Sequence, residues 1–112
     1  MDQAIDIVVY LTIRPGQETA AAQTAQAITA HAATIDGLQM SDAWEGGDGI
    51  GPLVLRFHAT GQAAVDQHLA EHGPLYAAFT AVGAVDRVTT SGPADAATIA
   101  AMQRLSGRFE RI

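Results

Sequence analysis

The chain has 112 residues, a formal net charge of −6, 48% hydrophobic and 16% charged residues, and no cysteine. This size and composition predict one globular domain rather than a disordered segment, and the lack of cysteine excludes disulfides and thiolate chemistry. The negative charge and the six dispersed arginines disfavour nucleic acids and anionic membranes as partners.

The first predicted element is a strand over residues 5–13, because its apolar residues alternate strictly along the chain. The opposite face of this strand is mixed rather than polar, which indicates that both sides of the sheet are covered. A helix is predicted from about Gln17 to Ile35, with Asp36 and Gly37 as its C-cap. The apolar stripe predicted for this helix consists of Thr24, Ala27, Ile28, His31 and Ile35.

A hairpin of two strands, at 38–45 and 53–59, is predicted next, with the segment GGDGIGP as its connection. GGDGIG lies between two strands, so no helix N-terminus follows it to hold a phosphate. Thr60 is the predicted cap of a second helix that runs to His72, where Gly73 and Pro74 break it. A shorter helical piece is then expected at 75–82.

The last predicted elements are a fourth strand at 84–90 and a helix from about Asp95, a good N-cap, to Leu105. Ile99 and Met102 are the expected inward residues of this helix, and GRFERI forms a tail.

The order β-α-β-β-α-β followed by an extra helix predicts an α+β, ferredoxin-like fold. Such a domain has a four-stranded antiparallel sheet with helices on one face only. The other face is then either solvated or buried against a partner. We place Val8, Tyr10, Val54 and Val88 on that face, and their apolar character favours a partner.

The domain is expected to span residues 1–112, with a core at about 4–92 and a C-terminal helix and tail at about 94–112. No apolar run reaches the roughly 20 residues that cross a bilayer. The acidic N-terminus lacks the basic residues of a secretory signal. We therefore expect a cytoplasmic protein whose ligand is small and largely apolar.

The segment HLAEH, residues 68–72, is the strongest candidate for chemistry. Helical residues four apart share a face, so His68 and His72 can bind one zinc ion, border a pocket, or form an ordinary surface pair. The H-x-x-E-H spacing matches one zinc-protease class. A third ligand from a further helix has little room downstream, however, and a helix C-terminus favours the imidazolium form of His72. We predict a pocket and no metal, and a histidine with a near-neutral pKa can act as a general base in such a pocket.

Four stretches, LTIRPGQE, IDGLQMSDAW, LVLRFHATGQAAVDQHLAEHGPLYAAF and VDRVTTSGPAD, together resemble the antibiotic biosynthesis monooxygenase-like family of dimeric α+β barrel proteins. The resemblance covers roughly residues 4–95. It implies a homodimer whose two sheets pack into one barrel, with a pocket between the sheet and the helices of each protomer. Several members of the family oxygenate phenols, quinols or anthrones without metal or flavin. The haem degraders and anthrone oxygenases among them rely on an asparagine, which this chain lacks.

The resemblance favours a cofactor-independent monooxygenase that oxidises a small aromatic quinol or polycyclic phenol with dioxygen. His72 is the predicted base, His68 its orienting partner, and Arg87 the group that stabilises the anion. The predicted substrate-binding residues are Trp44, Tyr76, Phe79 and His31.

Structural roles remain open for several of these residues. Trp44, Tyr76, Phe79 and His31 are also compatible with the core, and Arg87 with a solvated salt bridge. His58 is expected at the barrel interior or the dimer interface. Two other functions remain open as well, a small-carbonyl isomerase that uses the same pocket and a non-catalytic module for hydrophobic-ligand binding or dimerisation.

Overall fold

The computed structural model describes residues 4–47, 49–105 and 108–112, with only the backbone described for 72–77. It is an α+β domain with three helices and a five-stranded mixed sheet among these residues. The predicted order of the first seven elements is confirmed. The elements are β1 (Ile5–Ile13), α1 (Glu18–Ala32), β2 (Leu38–Trp44), β3 (Leu53–Ala59), α2 (Gln62–Phe79), β4 (Gly83–Ser91), α3 (Ala96–Leu105) and β5 (Phe109–Arg111).

The strand order in the sheet is β2-β3-β1-β4-β5, with β1 at the centre and antiparallel to both of its neighbours. The prediction of a sheet with four antiparallel strands is incomplete, because the tail forms a fifth strand, β5, that pairs with β4 in parallel. After β4, helix α3 returns the chain toward the beginning of β4. The tail then runs beside β4 in the same direction. This pairing satisfies backbone groups that an open edge would leave unpaired.

The helices cover one face of the sheet, where the residues Ile5, Ile7, Val9 and Leu11 of β1 are buried. Residues in the alternate phase, such as Asp6, Val8 and Tyr10, are only partly buried. We call the side of the sheet that they occupy the open face.

A β-bulge in the pairing of β1 with β4 decides which side chains of β4 reach each face. The register shifts between Tyr10 and Leu11, which pair with Arg87 and Val85 respectively. Val88 pairs with Val9 and is fully buried among the core residues. The prediction that Val88 lies on the open face is therefore wrong, because the extra residue of a bulge reverses the alternation.

The buried side of α1 differs from the predicted stripe. The buried residues are Ala21, Ala25, Ile28 and Ala32, whereas Ala27 and His31 are exposed. Alanine fits either side of a helix, so an alanine-rich segment does not determine which face packs against the sheet. The helix also ends at Ala32, and Gly37, with φ +83°, lies in the later turn before β2.

Helix α2 is continuous from Gln62 to Phe79, so the predicted break at Gly73 and Pro74 is wrong. A proline inside a helix removes one backbone hydrogen bond and strains the preceding turn, but the helix can continue beyond it. Continuation brings Phe79, which is 1% exposed, into the core. Burying a phenylalanine contributes about 1.5–3 kcal/mol, comparable to the cost of the proline.

Helix α3 begins as predicted. The backbone N–H of Thr98 donates a 2.8 Å hydrogen bond to Oδ1 of Asp95, the N-cap residue. Met102 is buried and Ile99 packs partly buried against the core. Gln62 ties this helix start to α2, because its side chain bonds both the backbone N–H of Asp95 and the hydroxyl of Thr98. Within the described part of the chain, no helix is both long and apolar enough to cross a membrane.

Candidate functional site

His68 is the polar side chain at the centre of the candidate site. It lies on the side of α2 that faces the sheet, together with Val65 and Leu69, and is 5% exposed. Its ring centroid is 5.0 Å from that of Phe57 on β3, with the two planes tilted by 49°. Packing between the helix and the sheet thus restricts the orientation of this imidazole.

A small cavity adjoins His68 between the sheet and helices α2 and α3. The space accessible to the centre of a water molecule is about 20 Å³, which is room for roughly one water. His68 is the only polar side chain among the described residues that line it. The lining residues are Ile5, Ile7, Val9, Leu38, Phe57, Ala59, Val65, His68, Leu69, Met102 and Leu105.

Helix α3 forms part of the cavity wall through Met102 and Leu105. The sequence predicted that Met102 points inward, but not that it meets His68, which lies 34 positions earlier. Phe57 was also missed as a site residue, although it lies three residues after Val54, which was predicted on the opposite face of β3. The signal for Phe57 was the alternation of β3, and nothing local indicated the contribution of α3.

Trp44 and Phe79 do not line this cavity. Trp44 pairs with Leu53, four residues along β3 from Phe57, which corresponds to about 13 Å. Phe79 follows His68 by eleven helical residues, or about 16 Å along the axis. Both pack with the core at the other end of the sheet. The aromatic wall predicted beside the histidines is therefore not formed by these two residues.

Arg87 lies on the open face, opposite to His68. Its guanidinium carbon is 4.3 Å from the centroid of the Tyr10 ring, a cation–π contact. Glu45, Asp86 and Arg108 surround the same position. The sheet separates Arg87 from the cavity, so within one chain the structure does not bring it to His68, because the bulge turns Arg87 away from the helices.

His31 is also outside the cavity. Its side chain is 44% exposed, and Nε2 lies 3.5 Å from Oε1 of Glu71 on the neighbouring helix. The prediction that it points toward the cavity is wrong, because the sheet-facing phase of α1 is that of Ala25, Ile28 and Ala32. This contact is a partly exposed pairing of α1 with α2, which contributes little to stability.

The side chains of His72 and Tyr76 lie outside the described residues. The continuous backbone of α2 puts residue 72 one turn beyond His68. In the described part of the chain, no three His, Asp or Glu side chains are grouped closely enough to hold a metal ion. His72 is not covered by this finding.

His58 lies on the open face, as its phase predicted. Its Nδ1 is 2.7 Å from Oδ1 of Asp6 across the β1–β3 pair. Arg56 and Ser41 flank this pair on the same face. The open face therefore carries interacting charged and aromatic groups rather than a uniformly solvated polar surface.

Comparison with solved structures identifies the fold. MupZ from Pseudomonas fluorescens superposes with a TM-score of 0.75 at 10% identity, over 99% of this chain and 91% of that one. SnoaB, a cofactor-independent oxygenase from Streptomyces nogalater, gives 0.66 at 18% identity over 79% and 90%. A protein from Nitrosomonas europaea assigned as an antibiotic biosynthesis monooxygenase gives 0.67 at 10% identity over 86% and 93%. No family model matches the sequence, and no curated protein is significantly similar to it.

These likenesses confirm, at the level of the fold, the resemblance to the antibiotic biosynthesis monooxygenase-like proteins. The chain shares the α+β fold of these three solved structures. At identities of 10–18% the fold alone is shared, and activity has to be argued from the site.

Proposed function

We propose that this protein is a cofactor-independent monooxygenase that oxidises a small aromatic quinol or phenol, with His68 as the general base. The observation that carries the proposal is a buried imidazole beside an apolar cavity, on a fold that SnoaB shares. His72 was the preferred base from the sequence. We now assign the base to His68, whose side chain is described and borders the cavity, and keep His72 as its partner on the next turn.

The reaction begins when His68 accepts the proton of the substrate hydroxyl. This proton transfer leaves an electron-rich aryloxide. The apolar surrounding strengthens the hydrogen bond between the aryloxide and the protonated histidine. The anion passes an electron to dioxygen, and a C–O bond then forms on the ring. Overall, the substrate gains one oxygen as a carbonyl and loses two hydrogens, which leave with the second oxygen as water. All four electrons come from the substrate, so no external reductant is required.

An aromatic ring needs more room than the cavity offers. A cavity that binds benzene has about 150 Å³, against about 20 Å³ here. Met102 and Leu105 are the lining residues contributed by α3. The aromatic substrate therefore reaches His68 from the α3 side, after these two side chains move.

The proposal includes a homodimer formed through the open face. Arg56, Arg87 and Arg108 lie on this face or at its edge, which is half of the six basic residues of the chain. The acidic residues described there are Asp6, Glu45, Asp86 and Glu110, a third of the twelve in the chain. Two copies with charge −6 therefore repel least when their nearly neutral open faces meet.

In the dimer, Arg87 acts at the interface rather than at the base. Its Nε is buried and has no hydrogen-bond partner among the described residues. A carboxylate of a second copy can satisfy this donor. Arg87 thus keeps a functional role in the proposal, but as an interface residue.

The direct test is oxygen uptake with a panel of hydroquinones and naphthols, for the wild type, His68→Ala and His31→Ala. Loss of a general base reduces turnover about 10²- to 10⁴-fold, so His68→Ala should lose nearly all uptake. His31→Ala is the matched control, because this histidine is exposed on α1, and its uptake should not change. Equal rates for all three proteins would remove His68 from the mechanism.

An anaerobic measurement separates oxygenation from isomerisation. If the histidine only shuttles protons, solvent deuterium enters a carbonyl substrate without oxygen consumption, and His68→Ala blocks that exchange. That result, with no uptake for any phenol near neutral pH, would overturn the monooxygenase proposal.

A further inference from the structure

The cavity beside His68 matches a diatomic molecule in size. About 20 Å³ of accessible space exceeds the roughly 10–15 Å³ that one water needs, so there is room for a diatomic molecule but not for an aromatic ring. The strands below it contribute Ile5 and Ile7, and α2 contributes Val65 and Leu69. These side chains are buried or partly buried in the core, so the part of the cavity between them and His68 stays too narrow for an aromatic ring.

The chemistry of the wall disfavours water. An ordered internal water typically makes about three hydrogen bonds, and His68 is the only polar side chain among the described lining residues. The backbone groups of the surrounding strands are engaged in the sheet. A space of this kind stays dry and takes small apolar molecules instead.

We infer that this cavity is a dioxygen-binding site that holds the co-substrate beside His68. The inference rests on the proposed function for the role of the gas, but its binding can be measured without any turnover. The aromatic substrate then approaches from the α3 side, past Met102 and Leu105, while dioxygen occupies the space on the sheet side. This arrangement keeps water away from the position where the anion and oxygen meet.

Paramagnetic relaxation by dissolved oxygen tests the site directly. Under a few atmospheres of dioxygen, the methyl protons of Ile5, Ile7 and Leu69 should relax selectively faster. The methyl groups of Ile28, which is buried on α1 and does not line the cavity, are the internal reference. Equal enhancement for Ile28 and for the lining methyls would overturn the inference.

A pair of substitutions that each add one methylene localises the effect. Val65→Ile fills the cavity, and the selective enhancement should be lost. Val54→Ile makes the same change at a buried position on the open face, and the enhancement should persist. Persistence in Val65→Ile, with the fold intact by its amide spectrum, would show that oxygen does not occupy this cavity.

Kinetics separates a failure of this inference from a failure of the proposed function. With a working phenol, Val65→Ile should raise the KM for dioxygen several-fold and leave the KM for the phenol unchanged, whereas Val54→Ile should alter neither. An unchanged KM for dioxygen in Val65→Ile contradicts the site. Selective relaxation that Val65→Ile abolishes, with no oxygen uptake for any phenol, would instead support the gas site and contradict the monooxygenase.

Discussion

The rings of His68 and Phe57 pack 5.0 Å apart with a 49° tilt, which joins α2 to β3 at the edge of the cavity. This contact fixes the imidazole between a helix and a strand whose other inward side chains are apolar. A base held in this way needs little reorganisation when it accepts a proton. The geometry therefore connects the packing of the core to the proposed chemistry.

The cavity wall formed by α3 should be sensitive to truncation of Met102. Met102→Ala removes a buried side chain, and the expected loss in the free energy of unfolding is about 2–5 kcal/mol. The enlarged cavity should also bind benzene, detectable by chemical-shift changes of the lining methyl groups. Met40→Ala is the control, because Met40 is only partly buried and does not line the cavity. Urea denaturation that finds Met102→Ala no more destabilised than Met40→Ala would contradict the described wall.

The fifth strand should contribute to stability through Phe109, which pairs with Val88 and packs partly buried against the core. Phe109→Ala should lower the free energy of unfolding by about 0.5–3 kcal/mol, the usual range for a lost packing contact. Ile112→Ala, at a residue that is 79% exposed, should change it by less than about 0.5 kcal/mol. Thermal or urea unfolding measures both. Identical stabilities would indicate that the tail does not form a strand in solution.

The cap of α3 predicts a pH dependence. The backbone N–H of Thr98 lowers the pKa of Asp95 below its ordinary value of 3.8 by hydrogen bonding to the carboxylate. Because the folded pKa is depressed, this stabilisation is present above pH 3.8 and is lost as the pH falls through the folded pKa. Asn at position 95 can still cap the helix but does not titrate. The midpoint temperature of thermal unfolding of Asp95→Asn should therefore change less with pH than that of the wild type below about pH 4.

The control for this experiment is Asp95→Ala, which removes the cap at every pH. Its midpoint should be lower than that of both other proteins near neutral pH, because alanine cannot accept the bond from Thr98. Parallel curves for the wild type and Asp95→Asn from pH 7 to pH 3 would exclude a contribution from this carboxylate.

The proposed dimer should dissociate when a charge is placed at the centre of the open face. Val8 lies on the central strand between Arg56 and Thr89. If the faces meet, Val8→Asp buries a carboxylate beside Arg56, and the cost of desolvating both charges exceeds their attraction. Sedimentation equilibrium should then find a monomer for Val8→Asp and a dimer for the wild type. Ala27→Asp, at an exposed position of α1, is the control and should remain a dimer. A wild-type monomer would refute this assembly.

Much of the fold could be predicted from local patterns. The alternation in β1 and β3 and the Asp95 cap predicted those elements almost to the residue. The inward phase of Phe57 followed from the same alternation. These features depend on neighbours in sequence, through side-chain direction along a strand and hydrogen bonding within one helical turn.

The candidate site was less predictable, because it depends on contacts between distant segments. The sequence singled out His68, and its position over an apolar cavity is observed. The partners chosen for it, Trp44, Phe79, Arg87 and His31, lie elsewhere. Trp44 and Phe79 lie too far from His68 along their own elements. The bulge at Tyr10 turns Arg87 to the open face, and the buried alanine face of α1 leaves His31 exposed.

The sequence by itself determined the strands and helices, the α+β order and the chemical types available, with one histidine pair and no cysteine or asparagine. Only the tertiary structure decided that α2 continues through Pro74, that the tail becomes β5, and that α3 closes the cavity beside His68. The physical reason is that these outcomes depend on the burial of Phe79, Phe109 and Met102 against residues far away in the chain. Local propensity contributes at most about 1 kcal/mol per residue, except for proline, which costs about 3 kcal/mol in a helix. Burial of a large apolar side chain is of comparable or greater size and therefore decides these outcomes.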